Sequence, residues 1–160
     1  MAPADDSLTT RPPVRVSRTL PASPEAVFRA WSSAAHVARW FAPRPFTIPE
    51  ATVEMRVGGR FDLLFRSPEG HEHQIRGAVV EVQPNRRFVI DMTVEDAAGQ
   101  PQFRALTEIE LSEVAGGTRL DAAQTYTVLD PRVAWMVDGA PKGWAATLEQ
   151  LEEAVAAMAE

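Results

Sequence analysis

Few side chains in this chain could bind a metal ion. His71 and His73 are separated by one residue, so in a β-strand both side chains point to the same face and could share an ion. A zinc site needs at least three protein ligands, however, and the chain has no cysteine. The remaining histidine, His36, lies in a predicted helix away from the other two. We therefore expect solvated histidines beside a turn, with no metal and no other cofactor.

Side chains suited to nucleophilic or acid–base catalysis are also sparse. The lack of cysteine excludes thiol catalysis, and the chain contains neither a Gly-x-Ser-x-Gly motif nor a recognisable Ser-His-Asp set. General acid–base chemistry needs only one or two positioned groups, and Glu54, Asp62, Asp91, His73 and Tyr126 are available. Strand alternation places Asp62 and Asp91 on an outer sheet face. We predict no catalytic residue, and expect a binding protein rather than an enzyme.

Composition and charge narrow the class of partner. The chain has 160 residues, of which 45% are hydrophobic and 24% charged, which is typical of one globular domain. Its net charge of −6 argues against nucleic acid or an anionic membrane as a partner, because both reward a basic face. The N-terminus lacks a secretion-signal pattern, so we expect a cytoplasmic protein. Basic residues that are almost all arginine suggest a bacterial source.

Hydrophobic periodicity predicts one domain over residues 14–160, preceded by a flexible tail at residues 1–13. Residues 14–20 alternate between apolar and polar side chains and predict a first strand. Ser23 and Ser33 then stand at the capping positions of two short helices. Two short helices joined by a tight turn form a V, which could close one end of a larger sheet.

Six further strands are predicted after Pro49, each separated from the next by turn residues. Gly58-Gly59 is typical of a two-residue hairpin turn in which both residues need positive φ. Gly77, inside a long strand, predicts a β-bulge. An antiparallel meander of this kind can keep one face apolar and one face wet, so its apolar face needs a cover.

A long amphipathic helix, predicted at residues 141–160, supplies that cover. Its large apolar residues are spaced alternately by four and three positions, which places on one stripe Trp144, Leu148, Leu151, Val155 and Met158. The opposite face is predicted to be solvated and carries Lys142, Glu149, Gln150, Glu152 and Glu153. A helical approach begins at Pro131, and residues 138–141 either interrupt or kink it. We expect residues 137–142 to form a hinge or a lip.

The order of these elements resembles the START-like, Bet v 1-like helix-grip superfamily. Its motifs are similar to those of the family related to the activator of Hsp90 ATPase, also called SRPBCC domain proteins. The matching stretches extend from Val14 to Met158 and are 18–24, 27–31, 38–41 with Pro43, 58–61, Gly77 with Glu81 and Pro84, 117–120, and Gly143-Trp144 with Leu148 and Leu151.

That resemblance implies a fold, a cavity and a partner. The implied fold is α+β, in the order β-α-α-β6-α, with a curved antiparallel sheet wrapped around the long C-terminal helix. The implied cavity lies between sheet and helix and holds a lipid-like, polyketide-like or aromatic molecule. The eukaryotic proteins that name the family stimulate Hsp90, so the resemblance also implies an Hsp90-type chaperone as an alternative partner.

The predicted ligand-binding residues are those that alternation places on the inward sheet face, together with the aromatic residues at its ends and two residues of the last helix. They are Trp31, Trp40, Phe41, Phe61, Leu63, Phe65, His73, Ile75, Phe88, Ile90, Met92, Phe103, Thr107, Gln124, Tyr126, Trp135, Trp144 and Leu148. Two interpretations remain open: that these residues fill a solid core, or that some of them line a pocket.

Three functions are consistent with this pattern. The first is binding of a small hydrophobic molecule. The second is regulation of a chaperone through the protein surface, and the third is a cavity enzyme of the cyclase, aromatase or hydrolase type. Homodimerisation through exposed aromatic residues is a further open alternative.

Overall fold

One antiparallel sheet of seven strands forms the body of the protein. The structure, a computed structural model, describes residues 10–158. The strands stand in the order β1-β7-β6-β5-β4-β3-β2, so the meander is continuous and the first strand pairs with the last. Their bounds are β1 Val14–Leu20, β2 Thr47–Val53, β3 Phe61–Arg66, β4 Glu72–Gln83, β5 Arg87–Glu95, β6 Pro101–Val114 and β7 Gly117–Val128.

Three helices complete the fold, and their bounds are α1 Pro24–Ser32, α2 Ala34–Trp40 and α3 Ala134–Met158. The predicted order β-α-α-β6-α and the helix-grip arrangement are confirmed. Ser23 and Ser33 cap the two short helices, accepting the N–H groups of Ala26 at 3.2 Å and His36 at 3.4 Å. Because Ser33 itself is extended, with φ −120° and ψ 129°, the chain turns between α1 and α2.

The C-terminal helix is longer than predicted and continuous. It begins at Ala134, directly after a 3₁₀ turn at Pro131–Val133, and passes through Pro141 without a break. Of the two predicted alternatives for residues 138–141, an interruption or a kink, the interruption is therefore wrong, although Pro141 cannot donate a main-chain hydrogen bond. Residues 137–142, predicted as a hinge or lip, are part of one helix with the residues that follow.

Buried apolar residues form two separate clusters rather than one core. The larger cluster packs α1, α2 and the C-terminal half of α3 on the sheet, and contains an aromatic group around Trp31. The ring of Trp31 meets Trp40 at a centroid distance of 4.7 Å and Phe88 at 5.0 Å, both edge-on, which is a favourable geometry for aromatic pairs. The smaller cluster comprises Phe103, Ala105, Tyr126, Val128 and Val137.

Two glycines have roles that differ from the predicted ones. Strand β2 ends at Val53, and only Gly58 of the Gly58-Gly59 pair has positive φ, so the two-residue hairpin is wrong. A Cβ on Gly59 would lie 2.0 Å from the carbonyl oxygen of Glu54, so close main-chain approach requires glycine there. The bulge predicted at Gly77 lies instead between Val79 and Glu81.

Strand pairing begins ahead of the predicted domain boundary. Thr10 forms an isolated bridge with Thr127, and the N–H of Arg11 donates to the carbonyl oxygen of Tyr126 at 2.8 Å. Part of the predicted tail at residues 1–13 therefore lies along β7. Residues 1–9 of that tail lie outside the described part of the chain.

Gln150, predicted to lie on the solvated face of the last helix, is only 8% exposed. Its Nε2 donates to the carbonyl oxygens of Trp40 at 2.9 Å and Ala42 at 2.8 Å, and its Oε1 accepts the N–H of Arg44 at 3.1 Å. One turn earlier, Thr147 Oγ1 donates to the carbonyl oxygen of Phe41 at 3.2 Å. These bonds fix the segment that follows α2 against α3, because main-chain groups buried there need partners.

We expect Gln150→Ala to lower the free energy of unfolding by about 3 kcal/mol, because buried main-chain groups lose their hydrogen-bond partner. Urea denaturation followed by tryptophan fluorescence measures this change. Glu149→Ala, at the neighbouring exposed position, is the matched control and should change the free energy by less than about 0.5 kcal/mol. Equal effects of the two substitutions would contradict this role of Gln150.

Candidate ligand cavity

A cavity of about 660 Å³ lies between the sheet and the N-terminal half of α3. Strands β3 to β7 provide one wall, α3 provides the opposite wall, and the segment after α2 borders it with Phe41, Pro43 and Phe46. Residues of both hydrophobic clusters line it, so the cavity occupies the space that keeps the two clusters from merging. Trp135, at the start of α3, is 70% exposed and still lines the cavity, which marks its opening.

Many of the predicted ligand-binding residues are brought together around this cavity. They are Phe41, Phe65, His73, Ile75, Met92, Phe103, Gln124, Tyr126, Trp135 and Trp144. Their grouping follows from the alternation of the strands, because inward positions on neighbouring strands share one face. Three of them, His73, Gln124 and Tyr126, are polar, and a polar side chain in an inward position needs a hydrogen-bond partner.

The other predicted ligand-binding residues are buried but do not line this cavity. They are Trp31, Trp40, Phe61, Leu63, Phe88, Ile90, Thr107 and Leu148, all buried. Alternation assigns a residue to a face, but it does not say which half of that face is filled by helices. Here α1 and α2 fill one half, and Trp40 donates its indole N–H to the carbonyl oxygen of Ala30 at 3.0 Å. Trp40 borders instead a smaller cavity of about 390 Å³.

Gln102 lines the cavity although strand alternation predicts the outer face for it. Phe103, its neighbour, also lines the cavity, and two successive residues can face inward only where the strand is irregular. The pairing of β5 with β6 shifts register between Val94 and Glu95, directly opposite Gln102. Sequence reasoning missed Gln102, although Pro101, the first residue of β6, stands directly at this shift.

The first half of α3 contributes further lining residues that were not predicted. They are Met136, Gly139, Ala140, Gly143 and Thr147, with Val133 from the preceding turn. Met136, Gly139 and Ala140 were missed because the long helix was predicted to begin only at residue 141. The continuation of the apolar stripe through Met136 and Ala140 was the available signal.

A chain of hydrogen bonds joins three buried polar side chains at the sheet wall. The hydroxyl of Tyr126 donates to Oε1 of Gln124, and Nε2 of Gln124 donates to Oγ1 of Thr107 at 2.9 Å. Thr107 thus reaches the cavity wall only through Gln124. Burial raises the pKa of the Tyr126 hydroxyl, so this residue stays a neutral phenol in the folded protein.

His73 forms a second polar pair at the strand ends. Its Nδ1 lies 3.3 Å from Oε1 of Gln102. His71 is exposed in the turn before β4, so the two histidines occupy different surroundings. Within residues 10–158 no group of three or more His, Asp or Glu side chains is placed to hold a metal ion.

The residues that line the cavity include no Asp, Glu, Lys or Arg. The acidic side chains considered for acid–base chemistry are engaged elsewhere: Asp91 pairs with Arg104 at 2.6 Å, Asp62 pairs with Arg60, and Glu54 accepts the N–H of Arg60 at 3.0 Å. A charged molecule placed in the cavity would lose hydration without gaining a counter-charge, which is costly. The arrangement therefore suits an uncharged molecule.

Comparison with known families and structures gives one family and many similar folds. The model of the family described as "Activator of Hsp90 ATPase homolog 1-like protein" matches residues 21–156. None of the curated proteins matches the chain in sequence. Among the described residues, no helix is long and apolar enough to cross a membrane.

Solved structures of bacterial proteins are similar over nearly the whole chain. Protein NE0264 from Nitrosomonas europaea is 25% identical with a TM-score of 0.74, covering 96% of this chain and 97% of that one. Protein CV1439 from Chromobacterium violaceum is 27% identical with a TM-score of 0.74, covering 89% and 96%. A protein from Rhizobium leguminosarum has a TM-score of 0.80 at 22% identity, covering 92% and 96%, and shows the fold alone.

We expect the phenol of Tyr126, the single tyrosine of the chain, to resist ionisation in the folded state. Below pH about 10 the folded and unfolded states both keep the proton; above it only the unfolded state releases it, so stability falls as pH rises. Near-ultraviolet absorbance of tyrosinate during a titration measures this. In urea the midpoint should lie near pH 10. A native midpoint at the same pH would contradict the burial of this hydroxyl.

Proposed function

The chain belongs to the activator of Hsp90 ATPase homolog 1-like family, and we propose that it binds an uncharged, hydrophobic small molecule in the cavity under α3. The observation that carries this proposal is the cavity wall, which is apolar over most of its extent and has no ionisable carboxylate, ammonium or guanidinium group. Ligand pockets in proteins are of this kind, mostly apolar with a few polar groups that set orientation.

The size of the cavity supports a small-molecule ligand. Its volume of about 660 Å³ lies within the range of roughly 300–1,000 Å³ that is usual for pockets holding cofactors and drug-sized molecules. The sheet side of the cavity is closed by strand pairing, whereas the α3 side begins with the exposed Trp135. The α3 side is therefore where a ligand would enter.

The polar groups at the wall support a neutral ligand rather than an ion. Tyr126 remains a phenol because burial raises its pKa, and Gln102, Gln124 and Thr147 carry no charge. Such groups can hydrogen-bond a carbonyl, hydroxyl or ether of a hydrophobic molecule. They offer little to offset the hydration that a sulfonate or an ammonium group would lose.

A pair of fluorescent probes tests this charge preference. N-phenyl-1-naphthylamine and 1-anilinonaphthalene-8-sulfonate share one ring system and differ in the sulfonate group. We expect the neutral probe to bind with fluorescence enhancement and the sulfonate to bind at least about tenfold more weakly, since the wall has no counter-charge.

A substitution that fills the cavity tests the location. Ala140→Phe places a ring in the cavity from α3 and should abolish binding of the neutral probe. Ala156→Phe, at an exposed position of the same helix, is the matched control and should leave binding unchanged. Equal binding of both probes, or binding that survives Ala140→Phe in a folded variant, would contradict the proposal.

A second candidate function comes from the family description and from one surface feature. The family is named for activators of the Hsp90 ATPase, and Trp135 is an exposed aromatic side chain of the kind enriched at protein interfaces. We propose that, in this case, the surface around Trp135 would contact an Hsp90-type chaperone.

The ATPase rate of a bacterial Hsp90 measures this second candidate. We expect the rate to rise on addition of the protein and to return to its basal value with Trp135→Ala. Lys142→Ala, also exposed on α3, is the control. An ATPase rate that does not change at saturating protein would exclude this function.

A further inference from the structure

Two buried glutamines of the cavity wall differ in how their carboxamides are paired. Gln124 uses both ends, since Oε1 accepts from Tyr126 and Nε2 donates to Thr107. Gln102 uses one end: its Oε1 lies against Nδ1 of His73 at 3.3 Å, whereas its Nε2 has no acceptor within residues 10–158. Gln102 thus holds two N–H donors that the described protein does not satisfy.

The free amide nitrogen of Gln102 faces the cavity. Among the described residues, three side chains have a nitrogen that lacks a hydrogen-bond partner and is fully buried: Arg18, Trp31 and Trp144. The Gln102 amide nitrogen is not one of these, so it keeps accessible surface. Since Gln102 as a whole is only 6% exposed and lines the cavity, that surface lies on the cavity side. The indole N–H of Trp144, by contrast, is sealed and cannot reach a ligand in this arrangement.

The main chain around Gln102 is fixed, which makes the donor a prearranged one. The carbonyl oxygen of Gln102 accepts two N–H groups, from Leu129 at 3.0 Å and from Asp130 at 3.1 Å. The register shift between β5 and β6 occurs at the same place and turns the side chain inward. Bulges often re-aim a side chain toward a functional site, and a prearranged donor costs little ordering entropy when a ligand binds.

His73 determines which end of the carboxamide faces inward. A carboxamide oxygen can only accept, so it is the Nδ1–H tautomer of His73 that donates to Oε1 of Gln102. The nitrogen of the carboxamide is then directed away from His73. His73 is in this sense a positioning residue, and it acts through Gln102.

We propose that Gln102 is the polar anchor of the cavity and that the ligand carries a carbonyl-type acceptor oxygen, as in a ketone, ester or amide, which accepts from Nε2 of Gln102. This inference rests on the proposed binding function and narrows its ligand class. A hydrocarbon of the same shape would displace water from the amide nitrogen and leave its N–H groups unpaired, and sites built to pair a polar group discriminate strongly against analogues that lack it.

Two isosteric probes test the anchor. 2-Acetylnaphthalene and 2-isopropenylnaphthalene have the same shape, and only the first has a carbonyl oxygen. We expect the ketone to bind about five- to tenfold more tightly than the hydrocarbon to the full chain, as expected for one hydrogen bond in a buried site. With Gln102→Met the two dissociation constants should become equal, through weaker ketone binding.

A control variant and a spectroscopic signature separate recognition from folding. Gln74→Met removes another glutamine of the sheet, one that does not line the cavity, and should preserve the preference for the ketone. With ¹³C in the carbonyl group, the C=O stretching frequency of bound ketone should fall relative to that in hexane. The shift should vanish with Gln102→Met and should be reduced with His73→Phe.

The possible results separate a failure of the Gln102 anchor from a failure of the proposed binding function. If neither probe binds the wild-type chain, the binding function itself fails. If both probes bind wild type equally, or the carbonyl frequency of bound ketone is unshifted, Gln102 is not an anchor while the binding function stands. The wild-type measurements decide this even if Gln102→Met does not fold.

Discussion

Three hydrogen bonds made by one side chain of α3 join this helix to the segment between α2 and β2. Gln150, on α3, binds the main chain at Trp40, Ala42 and Arg44, and Thr147 adds a bond to Phe41. The bonded segment leads from α2 into β2, so these contacts tie the last helix to the short helices and to an edge of the sheet at once. The C-terminal half of α3 is therefore fixed over a filled core. The N-terminal half extends beyond that core, over the space that forms the cavity.

Charged side chains are distributed differently on the two faces of the sheet. The outer sheet face carries cross-strand ion pairs, such as Arg87 with Glu81 at 2.9 Å and with Glu110 at 2.8 Å. Exposed pairs of this kind contribute little to stability individually, but they keep the charges of β4, β5 and β6 on the solvent side. The cavity wall on the inner face contains no Asp, Glu, Lys or Arg.

Much of the fold could be predicted from local sequence patterns, because tertiary contacts did not override them. The serine caps at Ser23 and Ser33, the alternation in the strands and the order of elements predicted the helix-grip arrangement, and the structure has it. The lining of the cavity followed only in part. Face assignment by alternation found Ile75, Met92 and Tyr126, but it could not tell the filled half of the sheet from the open half. That difference depends on where α1 and α2 pack, which is a long-range property.

The residues that sequence reasoning misplaced share one physical cause. Gln150 was assigned to solvent because it is polar, yet unpaired main-chain groups after α2 required a buried polar partner. Gln102 was not among the predicted ligand-binding residues, and it lines the cavity where β6 shifts register against β5. In both cases a glutamine is buried because a distant segment of main chain determines its surroundings.

A crystal structure with a bromine-labelled neutral ligand, 6-bromo-2-acetylnaphthalene, tests most directly whether the space beneath α3 is a binding site. Binding there predicts an anomalous bromine peak between the sheet and the N-terminal half of α3, in the region of Met92, Tyr126 and Trp144. A structure in which Phe46 and Trp135 fold inward and fill the space, with no bromine peak between sheet and helix, would contradict it.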